Sequence, residues 1–152
     1  MFRVNRAEEQ AVRLTMRLAM HGGQITLGEL AQAEDLPEPT VAKLLGMLRR
    51  GGVVDAVRGR HGGYVLADAP ERISAARVIH SISGPSVFEF PCSDSNEKPD
   101  CHRTDDCGLR SVWQHLENRV SEVLEQTSVA DLLRREAEAA TNLHNLWPLA
   151  EK

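Results

Sequence analysis

Residues 37–66 read PEPTVAKLLGMLRRGGVVDAVRGRHGGYVL, and the rest of the fold can be worked out from this stretch. Pro39 suits the first turn of a helix, the apolar residues that follow it have helical spacing, and a Gly-Gly pair ends the pattern. Two short apolar runs then flank a glycine-rich turn, which predicts a β-hairpin. A helix therefore leads directly into a hairpin whose tip is cationic.

Two further helices are expected before this stretch. Asn5-x-x-Glu8 and Thr26-x-x-Glu29 are both capping-box patterns, in which a side chain at each end of the motif satisfies free N–H groups at a helix start. Gly22 stops the first helix, and a tight proline-containing turn separates the second helix from the third. Three short helices joined in this way indicate a helix-turn-helix, with a generic three-helix bundle as the alternative.

The hairpin favours the helix-turn-helix and adds a wing to it. Glycine allows close backbone approach, and arginine or histidine at a hairpin tip reaches phosphates or a minor groove. The third helix would place its outward face against base edges. We therefore predict a mostly α fold with a small β-wing: a winged helix-turn-helix DNA-binding domain plus a long dimerisation helix. The candidate DNA-binding residues are Pro39, Thr40, Ala42, Lys43, Arg58, Arg60, His61 and Gly62.

The charge distribution agrees with a DNA-binding N-terminal half. The chain carries a net charge of −4, which by itself disfavours nucleic acid as a partner. Residues 1–80, however, hold 11 Lys and Arg against 9 Asp and Glu, a net +2, whereas residues 81–152 hold 7 against 13, a net −6. Basic charge is thus concentrated where phosphate contacts would be made.

All three cysteines lie in one polar segment, EFPCSDSNEKPDCHRTDDCGLR, at residues 89–110. Their spacing is Cys92-x8-Cys101-x5-Cys107. Free cysteine prefers burial, so three in an exposed loop argue against coincidence, and three cannot all pair as internal disulfides. Thiolates are soft ligands that suit Fe–S clusters or zinc. We expect a metal centre here, and these residues alone do not distinguish an Fe–S cluster from zinc.

A long amphipathic helix is expected after the last cysteine. Its apolar residues recur at helical spacing from Leu109 to Leu124, and such a stripe needs a partner surface, either on the same chain or on a second copy. Ser128-x-x-Asp131 predicts one more helix start. From Glu136 the pattern is lost, and we expect the last residues to fray.

Taken together, these features resemble the Rrf family of bacterial winged-helix regulators, the group that includes IscR, NsrR and RirA. The matching parts are the Arg3-Val4-Asn5 start, the Leu44-x3-Leu48-Arg49-Arg50-x-Gly52-Val53-Val54 run, the Val57-Arg58-Gly59-x2-Gly62-Gly63-Tyr64-x-Leu66 wing and the cysteine triplet. The resemblance implies a homodimer, a 2Fe–2S or 4Fe–4S cluster beside the dimerisation helix, and a palindromic operator in double-stranded DNA. The implied dimer interface is Leu109, Val112, Trp113, Leu116, Val120 and Val123.

The resemblance also divides the chain. It implies a winged-helix DNA-binding domain at 1–83, a cysteine cluster-binding loop at 84–107, a dimerisation helix region at 108–135 and a C-terminal tail at 136–152.

Two departures from the family pattern and one match to a subgroup affect the predicted sites. IscR-like members carry His three residues after the last cysteine, where this chain has Arg110, which cannot ligate. NsrR-like members use an acidic ligand from the first helix of the other subunit, and the matching residue is Glu9; a solvated carboxylate at a helix start is the alternative. Ala42 stands where some relatives have an acidic specificity residue, so we expect an operator unlike the IscR type.

The function expected from these features is transcriptional regulation. The protein would be a cytoplasmic repressor whose DNA affinity depends on an Fe–S cluster that senses nitric oxide, redox state or iron and cluster supply. Alternatives are a zinc- or thiol-based regulator, in which Cys101 and Cys107 oxidise, and a structural zinc module for protein contacts. No nucleophile–base or carboxylate pair indicates an enzyme, and no run of eighteen apolar residues or signal peptide indicates a membrane partner.

Overall fold

The computed structural model describes residues 5–60, 62–84 and 108–146, with side chains described as far as residue 138. This part of the chain is mostly helical with a two-stranded antiparallel wing, which confirms the predicted fold class. A short 3₁₀ turn, Pro70–Arg72, precedes the fourth helix. The elements are α1 (Arg6–His21), α2 (Leu27–Glu34), α3 (Glu38–Arg50), β1 (Val54–Val57), β2 (Gly63–Leu66), α4 (Ala75–Ser83), α5 (Gly108–Gln126) and α6 (Val129–Leu146).

The first two helices begin at the capping boxes that the sequence predicts. The Glu8 N–H donates to Asn5 Oδ1 over 2.9 Å, and the Asn5 N–H donates to Glu8 Oε2 over 2.8 Å. At α2, the Thr26 N–H and hydroxyl donate to Glu29 Oε2 over 2.8 and 2.7 Å. These hydrogen bonds, the one from the Thr26 hydroxyl first, hold the pKa of Glu29 below its usual range. Gly22 ends α1 with a φ of +68°, in the left-handed region that glycine favours.

One hydrophobic core joins the DNA-binding elements to the last helix. α1 lies at its centre and packs against α3, α4 and α6. Val129 at the start of α6 belongs to the same buried cluster as the helix-turn-helix residues. The largest fully buried apolar side chains are Leu14, Leu18, Leu30, Leu45, Leu48, Ile73, Val41, Val53, Val54, Val78 and Val129. α6 is therefore part of the winged-helix body.

The wing is held against the connection between α1 and α2. β1 pairs with β2 in the register Val54 to Leu66, and Tyr64 on β2 also pairs with Ile25. The Tyr64 N–H donates to Ile25 O over 2.8 Å, and the Ile25 N–H donates to Tyr64 O over 3.0 Å. A Cβ at Gly63 would lie 2.5 Å from Ile25 O, so only glycine allows this approach.

The C-terminal end of α5 is attached by backbone hydrogen bonds to the winged-helix body, which consists of α1 to α4, the wing and α6. The Ala75 N–H donates to Thr127 O over 2.8 Å, and the Val129 N–H donates to Ile73 O over 2.9 Å. α6 then begins at the predicted Ser128-x-x-Asp131 box. It continues past Glu136 to Leu146, because the residues after the apolar pattern ends are still good helix formers. None of the described helices is long and apolar enough to cross a membrane.

Candidate nucleic-acid interface

Helix α3 has one buried and one open face. Val41, Leu44, Leu45 and Leu48 lie in the core, so the residues between them point outward. Pro39, Ala42 and Lys43 are exposed and Thr40 is half-buried, so all four candidate base-contacting residues lie on or beside the open face. Arg49 and Arg50 extend the exposed surface to the C-terminal end of the helix. This exposed helix face carries cations, and a single exposed helix is what a major groove admits.

A buried carboxylate that sequence reasoning missed braces the helix-turn-helix. Glu34, at the end of α2, accepts from Arg13 Nε over 2.9 Å and from Arg17 Nε over 2.7 Å, both on α1. Its side chain is 5% exposed, whereas the arginines are 52% and 38% exposed. The brace holds α2, and with it the turn into α3, at a set angle to α1. The spacing Leu30–Ala31–Glu34 was the available signal, because it places Glu34 on the buried face of α2.

The hairpin tip presents the predicted cations to solvent. Arg58 and Arg60 are exposed, and His61 lies outside the described residues. The Gly62 N–H donates to Gly59 O over 2.9 Å and closes the turn. A Cβ at Gly62 would lie 2.7 Å from the carbonyl oxygen of Val57, so the tight tip requires glycine there.

The three cysteines lie in residues 85–107, outside the described part, but both ends of that segment are described. α4 ends at Ser83 and α5 begins at Gly108, and these two helices contact each other. Asn5 Nδ2 donates to Ser83 Oγ over 3.1 Å, which brings the start of α1 to the point where the segment leaves α4. Within residues 5–60, 62–84 and 108–146 no group of three His, Cys, Asp or Glu side chains is placed to hold a metal.

Glu8 and Glu9 have different surroundings on α1. The Glu8 carboxylate is used in the capping box, whereas Glu9 is exposed beside a polar cleft between α1 and the end of α2. The Glu9 carboxylate has no hydrogen bond or ion pair to any residue in the described ranges, and it remains available to a group outside them. Three thiolates and one carboxylate form a donor set that fits an iron-containing cluster.

The expected dimer stripe on α5 divides into two sets. Trp113 and Val120 are half-buried, in a helix that packs against α4. The other four members stay open to solvent, with relative exposures of 57% for Leu109, 51% for Val112, 42% for Leu116 and 61% for Val123. Large apolar side chains grouped on one helix face mark an interaction surface.

Comparison with known proteins supports the architecture from both sequence and structure. A family model, Rrf2, described as an iron-dependent transcriptional regulator, matches residues 4–135. Protein rrf2 of Nitratidesulfovibrio vulgaris Hildenborough is 29% identical over 140 residues, which cover 91% of each chain. IscR of T. potens has a TM-score of 0.69 at 29% identity, with 90% of each chain covered. CymR (YrzC), the global cysteine regulator of B. subtilis, has a TM-score of 0.70 at 29% identity and is covered over 89% of this chain and 98% of its own.

These matches decide the class of the protein. The family match spans the wing, α3, α5 and the start of α6, so it covers the whole proposed DNA-binding architecture. The matched proteins are transcriptional regulators, which confirms that the chain is not an enzyme. The chain belongs to the Rrf2 family of DNA-binding transcriptional regulators.

Proposed function

We propose that the protein is a homodimeric repressor whose DNA affinity is controlled by an Fe–S cluster. Cys92, Cys101 and Cys107 would supply three ligands, and Glu9 of the other copy the fourth. The observation that carries the proposal is the placement of three thiols in one segment whose ends are attached to two contacting helices, in a family described as iron-dependent. The signal would be nitric oxide, redox state, or iron and cluster supply.

The chemistry of this donor set suits a sensor. A cluster held by three thiolates and one weaker oxygen ligand would have a labile corner open to nitric oxide or oxidants. The chain would then transmit the change, because Ser83 and Gly108 connect the segment to α4 and α5. Asn5 lies against Ser83, so the start of α1 also adjoins the point where the segment leaves α4. Loss of ligation would favour a different arrangement of these elements and a different DNA affinity.

The exposed apolar face of α5 supports the homodimer in this proposal. The exposed residues Leu109, Val112, Leu116 and Val123 form an apolar face that a second copy would cover. A standard interface buries about 800 Å² per partner, and helix-turn-helix dimers place their recognition helices roughly 34 Å apart on DNA. Since α5 is pinned to the winged-helix body at Thr127, pairing through α5 would set that spacing.

A thiol-based regulator is the second candidate, and the similarity to CymR favours it. The chain is similar to both IscR and CymR proteins, so membership of the family does not by itself decide between a cluster and thiol chemistry. In this alternative Cys101 and Cys107 are oxidised directly, and no iron is needed.

The test is anaerobic purification followed by visible spectroscopy and quantitation of iron, sulfide and zinc. The cluster proposal expects a brown protein with iron and acid-labile sulfide, and with a DNA affinity that changes when the cluster is removed. Glu9→Ala should keep the dimer folded and make the visible absorption bleach faster in air. Glu8→Ala is the matched control: it removes a cap, costs about 1 kcal/mol of stability, and should leave bleaching unchanged.

Other results would redirect the assignment. A colourless protein that responds to oxidant only when Cys101 and Cys107 are present would replace the cluster with thiol chemistry. A colourless protein with stoichiometric zinc and no change of DNA affinity would leave a structural role for the cysteines. Faster bleaching in Glu8→Ala but not in Glu9→Ala would show that the fourth ligand is misassigned.

A further inference from the structure

The C-terminal end of the recognition helix α3 is closed by a side chain from α4. The Arg77 Nη2 donates to Gly52 O over 2.6 Å, and Arg77 Nε points to Gly51 O at 3.4 Å. These two carbonyls lie just past the end of α3, where the helix dipole is negative, so a guanidinium is well placed there. Arg77 is therefore a C-terminal cap that is supplied by another helix.

The same junction is packed too closely for any side chain at Gly51. A Cβ there would lie 1.9 Å from Ser81 Oγ and 2.6 Å from Ser81 Cβ, on the next turn of α4 after Arg77. Gly52 has a φ of +68°, and a Cβ there would lie 2.9 Å from Arg77 Nη2. The Ser81 hydroxyl donates to Arg77 O over 2.7 Å, so both contacting residues belong to one ordered turn of α4.

We infer that Arg77 is a positioning residue for DNA recognition: it sets the angle of α3 by tying the end of that helix to α4. The reason is geometric. α3 is fixed at its N-terminal end by the short turn from α2 and along its buried face by the core. At its C-terminal end the Val53 N–H donates to Leu48 O over 2.9 Å, and the contacts with α4 decide the remaining freedom of this end to tilt. Hydrogen bonds from Arg77, with α4 in van der Waals contact at Gly51, hold it. A tilt of α3 would misplace Ala42 and Lys43 against base edges while leaving the cations available to phosphates.

The test compares Arg77→Gln with Arg72→Gln in the full-length protein. Both substitutions remove one exposed arginine, but the ion-pair partner of Arg72 is Asp68 and not α3. The probes are a duplex that the wild-type protein selects from random-sequence DNA and a duplex of unrelated sequence. Affinity for each is measured over a range of salt concentrations.

Arg77→Gln should weaken binding to the selected duplex about tenfold, the size of one charge-assisted hydrogen bond. Its affinity for unrelated DNA and its salt dependence should match Arg72→Gln. Arg77→Lys should recover part of the loss, because an ammonium group can still reach one carbonyl. Equal loss on both duplexes with a salt slope lower by about one would make Arg77 a phosphate contact and overturn the inference. Unchanged affinity for the selected duplex would overturn it as well.

A second pair of variants tests the junction without touching Arg77. Gly51→Ala forces the end of α3 away from Ser81 and should show the same selective loss of affinity for the selected duplex. Adding Ser81→Gly removes both close contacts and leaves Ser81 Cα at 3.3 Å as the nearest atom, so the double variant should regain most of the affinity. Failure of the double variant to improve on Gly51→Ala would show that α4 does not position α3 through this contact.

The junction also offers a route for regulation, and this extension rests on the proposed function. α4 continues from Arg77 to Ser83, and the cysteine segment follows it, so a change in that segment would reach α3 through Arg77. The ratio of DNA affinities with and without the cluster should then fall toward one in Arg77→Gln. If the wild-type protein binds DNA equally well with and without the cluster, both the proposed function and this extension are wrong. The positioning role of Arg77 is decided separately, by the two-duplex comparison. A ratio that persists in Arg77→Gln would show that the signal takes another path.

Discussion

Gly63→Ala is expected to detach the wing from the helix-turn-helix. The added methyl group would lie 2.5 Å from Ile25 O and 2.9 Å from Ile25 C, and neither backbone atom can rotate away. Reaching an ordinary contact distance requires a shift of about 0.7 Å or more, which follows from normal van der Waals separations. That shift lengthens the two hydrogen bonds between Ile25 and Tyr64, now 2.8 and 3.0 Å, beyond the useful range.

The magnitude follows from those two bonds. Each backbone hydrogen bond contributes about 1 kcal/mol net, so the free energy of unfolding should fall by about 2 kcal/mol. For a chain of this length, this corresponds to a melting temperature lower by roughly 4–8 °C. Because Arg58 and Arg60 are carried on the detached hairpin, affinity for any duplex should fall too, with a shallower salt dependence.

Gly23→Ala is the matched control. The nearest atom to its added Cβ is His21 Nδ1 at 3.9 Å, an ordinary contact. Both alanines restrict the unfolded chain alike, so the difference between the variants isolates the contact with Ile25. Thermal melts followed by circular dichroism, together with fluorescence anisotropy on labelled duplex DNA, measure both effects. If Gly63→Ala melts and binds DNA as Gly23→Ala does, the close approach is not what holds the wing.

Three further predictions concern the dimer face, the brace and a helix cap. Val112→Glu places a charge on the exposed face of α5 and should give monomers in sedimentation equilibrium with unchanged far-ultraviolet circular dichroism; a monomeric wild type at micromolar concentration would count against the dimer. Glu34→Ala leaves the two arginines of α1 without their buried partner and should lower the free energy of unfolding in urea melts by about 2 kcal/mol. This figure is smaller than for a fully buried ion pair because the arginines are partly exposed. A loss below about 0.5 kcal/mol would mean that Glu34 does not hold the helix-turn-helix together. The hydroxyl and then the N–H of Ser128 hold the pKa of Asp131 below its usual range, so this cap stabilises the fold above the ordinary aspartate range and loses its effect as pH falls through the lowered pKa. The stability difference between wild type and Asp131→Ala should therefore be constant near neutral pH and shrink as the pH falls through the lowered pKa, and a difference that is the same in strong acid as at neutral pH would contradict this assignment.

Local patterns predicted the helix starts, the wing and the open face of α3, because each depends on residues only a few positions apart. The capping boxes at Asn5 and Thr26 appear as hydrogen bonds between residues three apart. The apolar spacing on α3 separated Val41 and Leu44 from Ala42 and Lys43 without knowledge of the partner helices. The ligand set of Cys92, Cys101, Cys107 and Glu9 stays a prediction.

Contacts between distant residues were set by the tertiary structure. Arg13 and Arg17 resemble ordinary solvated arginines in the sequence until α2 brings Glu34 beside them. The composition after Glu136 showed no apolar pattern, yet α6 continues to Leu146 once its first turn is anchored in the core. A helix with a packed start needs only good helix formers to propagate.

Gly51 and Gly63 show most clearly which features the sequence determines and which features the tertiary structure determines. The sequence marks Gly51 and Gly63 as residues that allow tight turns, and it predicts where the chain changes direction. It does not reveal that Ser81 fills the space beside Gly51, or that the Ile25 carbonyl fills the space beside Gly63. A glycine is required at these positions because another segment occupies the space that a side chain would fill. That segment is distant in the sequence, so no local sequence pattern identifies it.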